Sequence, residues 1–164
     1  MDVGPSIASL AGDALRNIIV LRSFGKFFGL AGLRLGFALL DPQLALRLST
    51  LLGPWPVSGP ALAIGTKALA DAPWIEQTRR DLAQAAGRLD AVLRRTKLEV
   101  IGGTSLFRLV RAPAAAALFQ HLGHAGILVR IFPDNPAWLR FGLPADEAAW
   151  RRLEISLGSF RVSG

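Results

Sequence analysis

Polar and apolar positions change period several times along the chain, and each change marks an element. "NIIVLR" (17–22) is a β-branched run between polar residues and predicts a buried strand; "RLGFALL" (34–40) predicts a second. Between them lies a loop with Gly25, Gly29 and Gly32. "DPQLALRLSTLL" opens with an Asp at the cap and Pro at the first helical position, then takes helical spacing. "GPWPVSGP" (53–60) holds three prolines and two glycines, cannot continue that helix, and reads as a hinge or crossover. Residues 61–95 have a helical pattern broken near "DAPW". The order then predicted is strand (98–101), strand (106–110), helix (114–122), strand (127–131), strand (138–143) and helix (146–157). Strands before the hinge and a self-contained α+β unit after it suggest pieces of two domains, residues 1–58 and 59–164, with no internal repeat.

Composition narrows the class. With 164 residues, 51% of them hydrophobic, the chain can bury a sizeable core, which excludes disorder of the whole. The net charge is +7, but the arginines are scattered beside acids, as in "EQTRRD" and "AAWRRLE". Nucleic-acid binding asks for a clustered basic face, so no nucleic-acid partner is expected. The absence of cysteine excludes disulfides and thiolate sites and fits a cytoplasmic location. The amino end lacks the basic start of a signal peptide. The most apolar stretch, 27–40, is too short to span a bilayer and carries Arg34, so a soluble protein without a membrane partner is expected.

Candidate chemistry concentrates at "LRSFGKFFGLAGLRLGF" (21–37), which places one of only three lysines, Lys26, between a glycine and two phenylalanines. Apolar neighbours predict a desolvated amine, whose neutral form can condense with an aldehyde. Ser23 and Arg34 on the same loop offer a hydroxyl and a guanidinium fork for a phosphate, and glycines let backbone approach a flat ring. A surface lysine with its stem along apolar neighbours is the plain alternative. A P-loop fails, since no glycine lies five before Gly25 and no Ser or Thr follows Lys26. The fourteen positions Ser23 to Gly36 read S-F-G-K-x-x-G-L-x-G-x-R-x-G. This pattern resembles the lysine signature of the class I/II aminotransferases, the fold-type I superfamily that uses pyridoxal 5'-phosphate. The resemblance implies an α/β fold, the C-terminal part of a fold-type I large domain followed by an α+β small domain. It makes Lys26 the catalytic lysine, with Ser23, Lys26 and Arg34 binding the cofactor.

A second constellation lies in "GILVRIFPDNPAWLRFGLP" (126–144), with Arg130 and Arg140 on two expected strands. The resemblance implies that Arg140, in "LRFGLP", clamps the substrate's α-carboxylate; the plain alternative is a solvent-facing arginine or one paired with Asp134. Arg130, in "GILVR", is similar to the arginine with which histidinol-phosphate aminotransferases and the threonine-phosphate decarboxylases of cobalamin synthesis bind a substrate phosphate. "GPWPVSGPAL" also looks like the decarboxylase branch. The substrate implied is a small phosphorylated amino acid, and the intact parent is implied to be a homodimer.

Other features are weaker. His121 and His124 have a spacing that suits two ligands on one helix face, but no third or fourth ligand accompanies them, and they read as helix-end residues with no metal. Trp55, Trp74, Trp138 and Trp150 are dispersed and read as core or interface packing. "GGTSLF" (102–107) is expected to join two strands, with Thr104 or Ser105 as a further polar contact to substrate. The superfamily's amino-terminal half carries the aspartate that pairs with the pyridine nitrogen, in a "DEAF"-like motif. Asp2 is not expected to replace it, and the chain reads as the C-terminal half of an enzyme, inactive by itself. A catalytically silent remnant or interaction module is the alternative from another class; a basic domain bound to RNA or membrane ranks last.

Overall fold

The computed structural model describes residues 6–11 and 17–161, and the chain divides into two compact units between Glu76 and Gln77. Asp2 lies outside the described residues.

The first unit contains two strands, β1 (Val20–Ser23) and β2 (Gly36–Leu39), paired antiparallel with Val20 opposite Leu39 and Ser23 opposite Gly36. The expectation of a buried first strand is corrected: Val20 is buried, but Leu21 is 77% exposed, because successive side chains point to opposite faces and, among the described residues, Leu21 stands on an uncovered one. Helix α1 (Pro42–Leu52) starts as the sequence foretells, the Asp41 carboxylate accepting from Gln43 N and Leu44 N at 2.9 and 3.3 Å. Helix α2 (Gly59–Ala70) begins earlier than expected. Gly59 and Pro60 belong to it, since the first turn needs no proline N–H and Ser58 caps it through Ala61 N at 3.3 Å. The connection between α1 and α2 is therefore shorter than 53–60.

Helix α3 (Ala72–Arg95) follows a break at Asp71 and runs from the first unit into the second, where its face Leu89, Val92 and Leu93 is buried. The second unit then continues with β3 (Glu99–Thr104), β4 (Phe107–Arg111), α4 (Ala115–His124), β5 (Arg130–Ile131), β6 (Trp138–Gly142) and α5 (Glu147–Ser159). Its sheet is antiparallel throughout, in the order β3-β4-β6-β5. Side chains alternate across a strand, so the register puts Val110, Leu139 and Phe141 on one face, where they join Leu118 and Leu122 of α4 and Trp150, Leu153 and Leu157 of α5 in one core. Phe107, Leu109 and Arg111 share the opposite face with Trp138, Arg140 and Gly142.

Two boundaries differ from the pattern. Gly102–Thr104 are strand, leaving Ser105 and Leu106 to turn the hairpin; Gly103 allows this because a Cβ there would meet the Phe107 carbonyl and Arg108. Strand pairing at 127–131 is confined to Arg130–Ile131, because Ile127 N is held by Leu122 O at 2.8 Å after Gly126 takes φ +70°. The helix ending claims the residues that hydrophobicity assigned to the strand. Three ion pairs tie α3 to the rest of the second unit: Asp90 receives two bonds from Arg108 (2.6 and 3.1 Å), and Arg88 lies 4.4 Å from the Trp150 ring while bonding both Glu147 and Glu154. Among the described residues no helix is long and apolar enough to cross a membrane.

Candidate active site

The loop between β1 and β2 is closed at its base by Phe24 N donating to Leu35 O at 3.1 Å. Two further backbone bonds fold it, Gly29 N to Lys26 O (3.0 Å) and Leu30 N to Phe24 O (2.9 Å). Ser23 Oγ accepts from Gly25 N at 3.1 Å, which fixes the hydroxyl at the loop entrance. A Cβ on Gly25 would lie 3.2 Å from the Ala31 Cα, so a side chain at the first glycine of the motif would push the Ala31 turn back by a few tenths of an ångström. Arg34 leaves the short 3-10 turn Ala31–Leu33 in the left-handed region (φ 54°, ψ 35°), a conformation costing a non-glycine residue roughly 1–2 kcal/mol.

These features bring Ser23, Lys26 and Arg34 together. With Gly25, Ala31, Leu35 and Gly36 they line one cleft of about 270 Å³. A hydroxyl, an amine and a guanidinium face it, and among the described residues no carboxylate lines it, a donor set that fits a phosphate monoester. Among the described lining residues the amine is also the only group able to condense with an aldehyde. The residues present therefore fit pyridoxal 5'-phosphate.

The desolvation expected for Lys26 is corrected. Its apolar neighbours turn inward: Phe24 and Phe27 are buried, Phe24 stacks on Phe28 at 4.5 Å, and Trp74 at the start of α3 receives both Phe28 (5.7 Å, stacked) and Phe27 (5.7 Å, edge-on). Lys26 itself is exposed. The phenylalanines anchor the loop and leave the amine in water, since adjacent residues in a tight turn point to different sides. Trp74 was not foreseen as part of this anchor; no local pattern reports a partner so distant in sequence.

In the second unit Arg130 and Arg140 are direct cross-strand partners on β5 and β6. Such partners project to the same face, here the one opposite the core. Arg140 is half-buried with its guanidinium 4.9 Å from the Phe107 ring centroid; Arg130 is exposed, 5.6 Å from that of Phe132. Among the described residues neither arginine has an ion pair, and the alternative partner Asp134 does not engage Arg140. Two unneutralised guanidinium groups side by side make an anion-receptive face. The aromatic residues there were missed, although the alternation in "FRLVR" and "WLRFG" carries the signal.

The remaining candidates are structural in their contacts. Thr104 Oγ1 accepts from Leu106 N at 3.1 Å inside the hairpin turn. His121 and His124 lie in the last turn of α4, and His121 Nε2 donates to Ser156 O at 2.8 Å. Among the described residues no cluster of three or more His, Cys, Asp or Glu could hold a metal. Of the tryptophans Trp150 is buried, but Trp55, at φ 56°, is 91% exposed, which corrects the core part of its packing reading.

Comparison with known proteins adds three findings. The family model described as aminotransferase class I and II matches residues 3–152. The threonine-phosphate decarboxylase of Pseudomonas aeruginosa is 47% identical over 98% of this chain and 48% of its own length, and that of a Sinorhizobium species is 49% identical over 98% and 48%. The crystal structure of histidinol-phosphate aminotransferase from Sinorhizobium meliloti in complex with pyridoxal-5'-phosphate superimposes with a TM-score of 0.81 over 92% of this chain and 42% of that one, at 24% identity, a likeness of fold. The chain spans about half the length of the curated relatives it matches.

Proposed function

We propose, for a chain that belongs to the class I and II aminotransferase family, that it forms the lysine-bearing half of a pyridoxal-5'-phosphate-dependent enzyme. Its substrate in this reading is a phosphorylated amino acid, and its reaction is the decarboxylation of threonine phosphate, as in cobalamin biosynthesis. The observation that carries the reading is the convergence of the Ser23 hydroxyl, Lys26 amine and Arg34 guanidinium on one cleft. The two decarboxylases at 47% and 49% identity support the choice of substrate. Residues 1–58 are then the remnant of a cofactor-binding large domain, and residues 59–164 the helical crossover with the small domain. The intact enzyme is a cytoplasmic homodimer.

Each residue has a task in this reading. Ser23 and Arg34 hold the cofactor's phosphate, the hydroxyl by donating one hydrogen bond and the fork by charge and paired donors. The Lys26 amine would hold the cofactor through its aldehyde and, when free of that link, would serve as the base or acid that moves a proton at the substrate's α-carbon. When bound, the cofactor supplies an electron sink that lets a bond at that carbon break. Arg140 binds the α-carboxylate and Arg130 the distal phosphate, and together they decide which bond is presented for cleavage.

All three lysines, Lys26, Lys67 and Lys97, are exposed, so solvent access alone would not select among them. Incubating the chain with pyridoxal phosphate, reducing with borohydride and mapping the adduct by mass spectrometry should give labelling at Lys26 ahead of Lys67 and Lys97. Equal labelling at the three would remove the cleft from consideration.

A further inference from the structure

Arg130 and Arg140 pose an electrostatic problem. Directly opposed like charges on adjacent strands destabilise a sheet, and no acid neutralises either among the described residues. Each guanidinium instead lies against a different ring. Phe107 is on β4, on the far side of β6 from β5, and is level with Gly142, so Arg140 leans away from its partner across the sheet. Phe132 follows the end of β5 and meets the Trp138 ring edge-on at 6.2 Å, so Arg130 leans the other way, towards the level of Trp138. Ring faces are negative and favour such placements.

We propose that Phe107 and Phe132 are positioning residues that hold the two forks apart, and that the resulting spacing selects dianionic amino acids by the length between carboxylate and phosphate. Trp138 takes part by holding Phe132. The proposal rests on the reading of Arg140 and Arg130 as carboxylate and phosphate partners, and it adds what sets the distance between them. Loss of one ring frees its arginine to sample several rotamers, so a substrate one methylene longer is then met nearly as well as the correct one.

The test is a titration of the 164-residue chain followed by the arginine Nε–Hε signals in NMR. O-phospho-L-threonine is compared with O-phospho-L-homoserine, which is longer by one methylene. The Hε signals of Arg140 and Arg130 should carry upfield ring-current shifts that vanish in Phe107→Leu and Phe132→Leu respectively. In each leucine variant the preference for the shorter ligand should fall about two- to fivefold, the factor to which a contact of about 0.5–1 kcal/mol converts. Phe107→Tyr and Phe132→Tyr keep the ring and should keep the preference. Both positions lie outside the core cluster, so the leucine variants should fold. An unchanged preference after loss of the ring-current shifts would overturn the positioning role. If neither arginine signal of the unaltered chain responds to O-phospho-L-threonine, the dianion reading falls and this proposal with it, an outcome distinct because the ring-current shifts would still be present.

Discussion

The lysine loop and the arginine face hold their functional groups by different means. In the loop, position comes from backbone: a hydroxyl-stabilised turn at Ser23, a glycine at closest approach at Gly25, and a left-handed arginine at 34. Around the loop, the described part of the first unit leaves large apolar groups such as Leu51 of α1 (84%) in water. On the sheet, position comes from register, and the register is enforced by a continuous core under Val110, Leu139 and Phe141. A loop of the first kind should fail through local changes of conformation, a surface of the second kind through loss of packing.

The largest effect should come from the core. Phe141→Ala is expected to cost the second unit about 3–5 kcal/mol, measured by denaturant unfolding with Trp150 as the reporter. Next, Arg34→Gly should separate function from conformation in the loop. Pyridoxal phosphate affinity should fall about tenfold to a hundredfold, as expected when about 1.5–3 kcal/mol of charge-assisted bonding is lost. Stability should meanwhile rise, by up to about 1 kcal/mol, as the left-handed strain is relieved. A loss of stability in that variant would contradict the account of the backbone. Trp74→Leu removes two ring contacts of about 0.5–1.5 kcal/mol each, and hydrogen exchange at Gly29 N–H and Leu30 N–H should quicken.

The smallest effect concerns acid. The hydrogen bond from Arg88 holds the Glu147 carboxyl below its ordinary value, against a weaker opposing effect of desolvation. A lowered folded value means a contribution present above the ordinary carboxylate range and lost as pH falls through the lowered one. A slight acid-side loss of stability should therefore appear in the unaltered chain and be absent in Glu147→Gln; salt should diminish it, since the pair is exposed.

Much of this was legible because its causes are local. Asp41 announces α1 by capping, and the apolar pattern places β4 and β6 to within one residue. The motif from Ser23 to Gly36 brought its three candidate residues to one cleft because all of them lie on one closed loop. What local pattern missed was decided by competition or distance. The end of α4 took Ile127 from the strand, Trp74 reached the lysine loop from a helix far along the chain, and Lys26 stayed in water while its neighbours did not.

The borders of the four-stranded sheet carry one further consequence. On one side stands β5, only two residues long; on the other stands β3, whose pairing slips between Val100 and Gly102. A short border and a bulged one give an incoming strand few consecutive N–H and C=O groups to pair with. The rims of this sheet thus resist lengthening into larger sheets, so crowded chains of this kind should stay colloidally separate at this unit.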